Sequence, residues 1–444
     1  MNGSDLYYWV RDDRHRTTIF SCSFCCRNWD RGNFATVAVT VVAALFAFLI
    51  YYYLVLPLDL RRDLCDVGFD YLTDGYYKST KYKKRNKREL VREVLRLRKI
   101  GDLPPIYPNG WFALIESSDL KRNEVRHVAA LGENFAVFRD ENGKAHVLDA
   151  YCPHLGANMA IGGVVRGNCL ECPFHSWRFD GETGECTSVP YSRKTPEFVK
   201  VKKWQSTEAN DVIFVWYHAE GEDPGWYPTG IDTVESGSWM FQGRSEFFVG
   251  CHIQEIPENG ADVAHLNAIH SPSLFGGQDL RFYDKLGLKF MKHVWTAEWN
   301  QSPKESHKGI LSLTFETRLL QKFSVARMNV KVEQIGPGYV VLEMDTSWGP
   351  MLLLQMVTPV EPLLQRVIHR MYSPWQQTIF AKFTLYAELV MFGRDVMVWN
   401  HKKYLKKAHI VKEDKTIARH RRWYSQFYSD NSPKFSFRSE GLDW

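Results

Sequence analysis

The chemistry in this chain is concentrated in two short motifs, Cys152-Pro153-His154 and, seventeen residues further on, Cys172-Pro173-Phe174-His175. Two thiolates and two imidazoles so spaced suit a [2Fe–2S] centre in which the Cys pair holds one iron and the His pair the other. Exchanging two thiolates for neutral imidazoles removes negative charge from the reduced cluster and raises its potential. The site therefore reads as an electron relay. Cys₂His₂ also suits structural zinc, but a Cys-x-His turn is tight for a single tetrahedral ion. Cys169 forms a Cys-x-x-Cys with Cys172 and reads as a bystander in the intervening loop.

A second group lies in Asn259-Gly-Ala-Asp262-Val-Ala-His265-Leu-Asn-Ala-Ile-His270. If the segment is helical, Asp262 and His265 share a face, and His270 converges with His265 where the helix ends near Ser271-Pro272. Two His with one carboxylate, leaving coordination positions open, form the facial triad of oxygen-activating non-haem Fe(II) sites. The carboxylate must come from elsewhere. Residues 376–404 predict a long helix in which Asp395 sits among apolar neighbours, and a carboxylate there is costly to bury unless paired or metal-bound. Glu388 is the rival ligand, and a surface ion pair of Asp395 with Arg394 or Lys402 is the plain alternative.

These motifs need a scaffold, and 444 residues leave room for two or three domains. Pro104-Pro105-Ile106-Tyr107-Pro108-Asn109-Gly110 breaks any helix and opens a domain. From Trp111 to about Val215, apolar runs at 125–131, 135–138 and 145–148 alternate with Gly and Asn turns, which predicts a small β domain carrying the Cys/His loops. Further on, Leu311, Leu313, Phe315, Thr317 and Leu319 alternate with polar residues. Strand-like runs come next at 330–335, 339–344 and 351–360, with Gly336-Pro337-Gly338 as a turn. The expectation is an α+β chain whose second domain is a helix-grip unit, an antiparallel sheet wrapped on the long C-terminal helix around an apolar cavity.

The net charge of +5 is uneven, because residues 78–99 hold eleven Lys/Arg against two Glu and leave the rest of the chain at −4. No nucleic-acid recognition motif accompanies this run, so anionic lipid headgroups are the better partner. Phe34 through Leu56 are 23 uncharged residues ending near Tyr51-Tyr52-Tyr53, a length that predicts one membrane-spanning helix with an interfacial aromatic anchor. The excess of Lys/Arg after this segment places residues 57–444 in the cytosol. Glu89 to Ile100 predicts an amphipathic helix, lying on the membrane or packed on the next domain. Of the nine Cys, three cluster at Cys22, Cys25 and Cys26 and the rest, apart from the two proposed ligands, are scattered; this is not a disulfide framework and fits a reducing compartment. The expected partition is a luminal tail 1–33, a transmembrane helix 34–56, a basic linker and helix 57–103, a cluster domain 104–215 and a catalytic domain 216–444. The endoplasmic reticulum is the expected membrane.

Cys172-Pro-Phe-His175-Ser-Trp177-Arg-Phe179-Asp180, with Gly181 and Gly184 after it, looks like the second cluster loop of Rieske proteins, and residues 104–430 resemble the Rieske non-haem iron oxygenases. The resemblance implies Cys152, His154, Cys172 and His175 as cluster ligands and His265, His270 and Asp395 as ligands of a mononuclear Fe(II). It also implies that Asp262 bridges to the cluster His of a neighbouring subunit, hence a homotrimer, and that Asn259 lies near the iron. The Pro-Pro-x-Tyr-Pro-Asn-Gly-Trp-Phe opening and the stretch Arg394-Asp395-Val-Met-Val-Trp399-Asn-His401-Lys402-Lys403-Tyr404 are most similar to the Neverland-type cholesterol 7-desaturases of animals. That likeness implies conversion of cholesterol to 7-dehydrocholesterol with O₂. No Gly-x-Gly-x-x-Gly is present, so electrons must come from NAD(P)H through a separate reductase. Hydroxylation of another sterol or lipid, and a membrane-tethered redox carrier whose second site is structural, are the competing readings.

Overall fold

In the computed structural model, which describes residues 31–73, 85–282, 291–320 and 322–435, the alternating runs of the C-terminal half join one large sheet. Strand β1 (Leu58–Arg62) comes first, then three small sheets built from β2 (Gly110–Glu116), β3 (Val125–Ala130), β4 (Glu133–Arg139), β5 (Ala145–Asp149), β6 (Val164–Arg166), β7 (Cys169–Glu171), β8 (Arg178–Asp180), β9 (Cys186–Ser188), β10 (Ser206–Ala209) and β11 (Val212–Tyr217). Their orders are β10-β11-β2, β3-β4-β5 and β6-β7-β8-β9, and every pairing is antiparallel.

The large sheet takes β12 (Met240–Val249), β13 (Met291–Gln301), β14 (Lys308–Leu319), β15 (Phe323–Ile335), β16 (Tyr339–Thr346), β17 (Gly349–Glu361) and β18 (Leu364–Ser373) in the order β1-β12-β18-β17-β16-β15-β14-β13. It is antiparallel except that β1 pairs in parallel with β12. Part of the stretch expected to be a linker is thus an edge strand. Register sets Trp299 opposite Leu311 and Trp295 opposite Phe315, so the apolar positions of the alternating run share one face. The long helix, Thr378–Trp399, lies over that layer, with Phe392 against Phe247 at 5.0 Å between ring centroids.

The small sheets and the large one share a core in which Phe112, Phe135 and Trp204 meet Val249, Val357 and Leu389. Ion pairs cross the same joint. Arg370 donates to Glu116, and Arg244 Nε lies 2.9 Å from the other oxygen of Glu116, all three groups being buried. Residues Lys87–Leu97 form the basic helix, capped where Asn86 accepts from Arg88 N at 2.8 Å. Its buried Leu90 and Val91 pack on Cys65, Phe69 and Leu72, which belong to the same expected linker and not to the cluster domain.

Residues 31–56 belong to a unit separate from the one that begins at Pro57. An α-helix runs from Arg31 to Ile50 and passes into a π-helical turn over Tyr51–Val55, where Leu56 N donates to Tyr51 O at 3.2 Å. Among the described residues no helix is long and apolar enough to cross a membrane. The uniform span expected over 34–56 is therefore corrected: the α-helical ladder stops at the three tyrosines, and Pro57 can donate no amide to prolong it. Residues 1–30, most of the expected tail, and 74–84, which include the first seven residues of the basic run, lie outside the described residues.

Candidate functional site

The first motif occupies two matching turns. After β5, Cys152 N donates to Ala157 O and Gly156 N to Cys152 O, both at 2.9 Å; between β7 and β8, Cys172 N donates to Trp177 O at 2.8 Å and Ser176 N to Cys172 O at 3.1 Å. The fourth residue after each Cys takes a left-handed backbone, Gly156 at φ 75° and Ser176 at φ 57°. Both Cys are buried free thiols, while Pro153, Leu155, Pro173 and Phe174 around the two His are exposed. The His154 and His175 rings lie 4.7 Å apart, and Trp177 stacks on His154 at 4.5 Å with its Nε1–H donated to Tyr191 at 2.8 Å.

A mixed-ligand cluster fits these groups. His175 Nδ1 is buried with no hydrogen-bond partner, a lone pair that a metal would satisfy. Burial pushes the Cys152 thiol up to about 11, with the adjacent Cys172 thiol adding to the effect. A group binding both sulfurs as thiolates must therefore bring positive charge. Cys169 stands apart with its sulfur 3.5 Å from Thr187 Oγ1.

The second motif is a seven-residue helix, Val263–Ile269, with Asp262 as its N-cap and His270 as its C-cap. Asp262 is thus outside the helix, and its carboxylate accepts from His265 N at 3.1 Å. His265 Nδ1–H donates to the Asp262 carbonyl, which turns Nε2 the other way. That nitrogen lies 4.0 Å from Asp395 Oδ1, and His270 Nε2 lies 3.1 Å from the same oxygen. One ligand atom from each of His265, His270 and Asp395 falls within 4.8 Å of the others, a spacing that a single metal ion can bridge. Burial lowers the His265 pKa and keeps its imidazole neutral, as a metal ligand must be.

Asp395 makes neither of the surface ion pairs considered for it. Arg394 is fully buried and donates to the carbonyls of Ile269, Pro272, Ser273 and Gly277 at 2.9–3.0 Å, while Lys402 pairs with Glu255. Asn267 bonds Trp295 through both main-chain groups, and Ser271 exchanges bonds with His293, so β13 holds the His segment as well. Sequence reasoning missed these supports. Glu388 stays outside the triad and lines the same cavity, as does Asn259.

That cavity measures about 620 Å³ between the large sheet and the long helix, with walls that include Leu311, Leu313, Phe315, Leu342, Leu353 and Met391 and a mouth at the exposed Phe275, Trp348 and Phe383. A wider depression of about 990 Å³ on the sheet, edged by Glu298, Lys331 and Glu343, contains none of the candidate cluster or iron ligands.

Residues 110–204 match the Rieske [2Fe-2S] domain, and residues 215–428 match the 3-ketosteroid 9alpha-hydroxylase C-terminal domain. The cholesterol 7-desaturase nvd of Hemicentrotus pulcherrimus is 42% identical over 92% of this chain and 86% of its own length. The protein of that name from Xenopus laevis is 44% identical over 87% of this chain and 84% of its own. In three dimensions the chain is similar to Pseudomonas putida CBB5 NdmA with caffeine, with a TM-score of 0.53, 16% identity, and coverage of 74% of this chain and 97% of that one. That last likeness establishes the fold. The turns, the triad and the full-length similarity to these relatives place the chain in the cholesterol 7-desaturase family of Rieske-type oxidoreductases.

Proposed function

We propose that this chain is a membrane-associated cholesterol 7-desaturase. Sterol, O₂, two electrons and two protons give the C7–C8 alkene and two waters, with the electrons drawn from NAD(P)H through a separate reductase. The observation that carries the reading is an apolar cavity of about 620 Å³ with His265, His270 and Asp395 in its wall. Small-molecule sites span about 300–1,000 Å³, and walls of this kind suit a lipid.

In this reading Cys152, His154, Cys172 and His175 hold a [2Fe–2S] cluster, and His265, His270 and Asp395 hold a mononuclear iron. When bound, the cluster supplies electrons singly and the iron activates O₂. The chain supplies position. Donation from His265 Nδ1 to Asp262 fixes the tautomer, and Arg394 holds the His segment against the helix that carries Asp395. Apolar walls keep water from the C7 and C8 hydrogens, and Asn259 borders the space they occupy. Asp262 backs His265 with its side chain 31% exposed, a position suited to meeting the cluster His of a neighbouring subunit in a homotrimer. The partition at residues 33, 56, 103 and 215 belongs to the same proposal.

Membrane attachment rests on the N-terminal unit, whose Val39 and Phe46 are 68% and 65% exposed. Such a surface is stable where lipid covers it, and the endoplasmic reticulum, with the enzymatic part in the cytosol, is the proposed setting. The test is to express the chain in eukaryotic membranes, supply cholesterol and NADPH, and look for the ultraviolet absorption of a ring-B diene. Cys172→Ser and His265→Ala should each abolish it. A wild-type chain with full iron that yields only an alcohol, or nothing, would overturn the reading.

A further inference from the structure

Glu388 lies on the cavity face of the long helix, seven residues before Asp395. At 1.5 Å per residue that spacing puts the two carboxyls on one face, about 10 Å apart along the axis. Behind Glu388, strands β12, β17 and β18 supply a buried polar array. Its Oε2 lies 3.3 Å from His369 Nδ1 and 3.4 Å from Ser245 Oγ, and Ser245 Oγ is 3.0 Å from the same nitrogen. His369 Nε2 lies 3.1 Å from Gln355 Oε1. With Nε2–H donating to Gln355, Nδ1 is an acceptor, and the array closes without net charge when Glu388 carries its proton on Oε2. Burial enforces that state, pushing Glu388 up to about 8 and His369 down to about 3.

Oε1 then faces the cavity as a carbonyl-type acceptor. It makes no hydrogen bond among the described residues, and 20% of the Glu388 side chain is accessible although it lies inside the fold. That accessible surface is cavity surface. A neutral acceptor in a largely apolar wall favours a ligand that is apolar with a donor at one end.

We propose that Glu388 accepts the hydrogen bond of the sterol 3-hydroxyl and makes the chain prefer 3-hydroxy sterols to those bearing an ether or no oxygen at C3. The inference rests on the sterol reading above. The separation of the two carboxyls is of the order needed to cross two fused six-membered rings from C3 to C7 and still leave a contact at the triad.

The test compares cholesterol, its 3-methyl ether and cholest-5-ene on the full chain in lipid nanodiscs. It tracks turnover and also binding, through the fluorescence of Trp295 and Trp348 in the cavity wall. Wild type is expected to favour cholesterol about tenfold in both, the worth of one buried neutral hydrogen bond. Glu388→Leu should lose that preference while handling cholest-5-ene as wild type does. Glu388→Gln should keep it, because an amide oxygen can occupy the place of Oε1. Equal treatment of the three sterols by wild type, or an undiminished preference in Glu388→Leu, would overturn the proposal. If Glu388→Leu fails to fold, the wild-type ratio and Glu388→Gln decide it. Tenfold tighter binding of cholesterol without any diene would sink the desaturase reading and leave the hydroxyl site standing.

Discussion

Arg394 Nη1 donates to the Ile269 carbonyl at 2.9 Å, one peptide before His270, while the next residue along the long helix, Asp395, meets His270 Nε2 at 3.1 Å. One side chain therefore sets the distance between two members of the triad that are 125 residues apart in sequence. A planar guanidinium can span the four carbonyls it bonds; a lysine ammonium is a compact point charge that cannot. Arg394→Lys is predicted to leave buried carbonyls unpaired, at about 3 kcal/mol, and to loosen the triad. Iron per chain should fall toward the cluster's two while the cluster's visible spectrum persists. Full iron content in the variant would show that the triad is held by other contacts.

Asp262 does two things that substitution can separate. Its carboxylate caps the His helix through His265 N, and it presents a charge at the surface behind His265. Asp262→Asn keeps a capping oxygen and removes the charge, whereas Asp262→Ala removes both and should cost a further ~1 kcal/mol of stability. If the charge links one subunit's cluster to its neighbour's iron, Asp262→Asn loses turnover at least tenfold with iron content and melting temperature unchanged. An Asp262→Asn variant as active as wild type would rule that link out.

How much of this site is legible in the sequence depends on which interactions leave a local mark. The Cys/His spacing is legible because each half of the cluster site is a single turn, closed by Gly156 in one case and Ser176 in the other. His265 and His270 are legible because a helix end brings them together, and Asp395 because a carboxylate among apolar neighbours needs a reason. Arg394 is silent, since its partners are carbonyls and any residue could supply them. The array behind Glu388 is silent too: Ser245, Gln355 and His369 meet only once three strands pair, and no local period encodes that pairing. The same holds for β1, which joins the sheet beside a strand some 180 residues away in sequence. The N-terminal stretch misleads in another way. Hydropathy counts its 23 uncharged residues but does not register three consecutive tyrosines, over which the backbone passes from α to π geometry.

His420 carries a pH prediction whose sign can be worked out. It is fully buried among Trp299, Trp423 and Tyr424, and neither ring nitrogen has a hydrogen-bond partner among the described residues. Burial, helped by the adjacent Arg421, pushes its pKa down to about 3. Folded chains keep the imidazole neutral as pH falls from 7, while unfolded chains begin to protonate it near pH 6.5, so acid favours unfolding. By pH 5 this one group should cost about 2 kcal/mol, and the loss levels off only near its folded pKa. His420→Phe keeps the aromatic packing and removes the proton site. Thermal melts at pH 7, 6 and 5 should show the variant at least as stable at pH 7 and falling less steeply; parallel curves would refute the assignment. His252, pushed down to about 4 by burial, leaves part of the acid sensitivity in place.

Ala387 offers a test of whether substrate occupies the space beside the triad. It lines the cavity from the long helix, next to Glu388 and two turns from Asp395, and it belongs neither to the triad nor to the array behind Glu388. Overpacking a filled core costs about 1–3 kcal/mol because neighbours must move, but Ala387→Phe enlarges into existing space and should leave the melting temperature within a degree or two. Iron content and the cluster spectrum should match wild type. The added ring would occupy volume the sterol needs, so kcat/KM for cholesterol should drop at least tenfold, while the cluster is still reduced by NADPH through the reductase, because Ala387 lies on the long helix and not in the turns that carry the cluster ligands. If Ala387→Phe converts cholesterol normally, the substrate binds elsewhere and the cavity cannot be the sterol site.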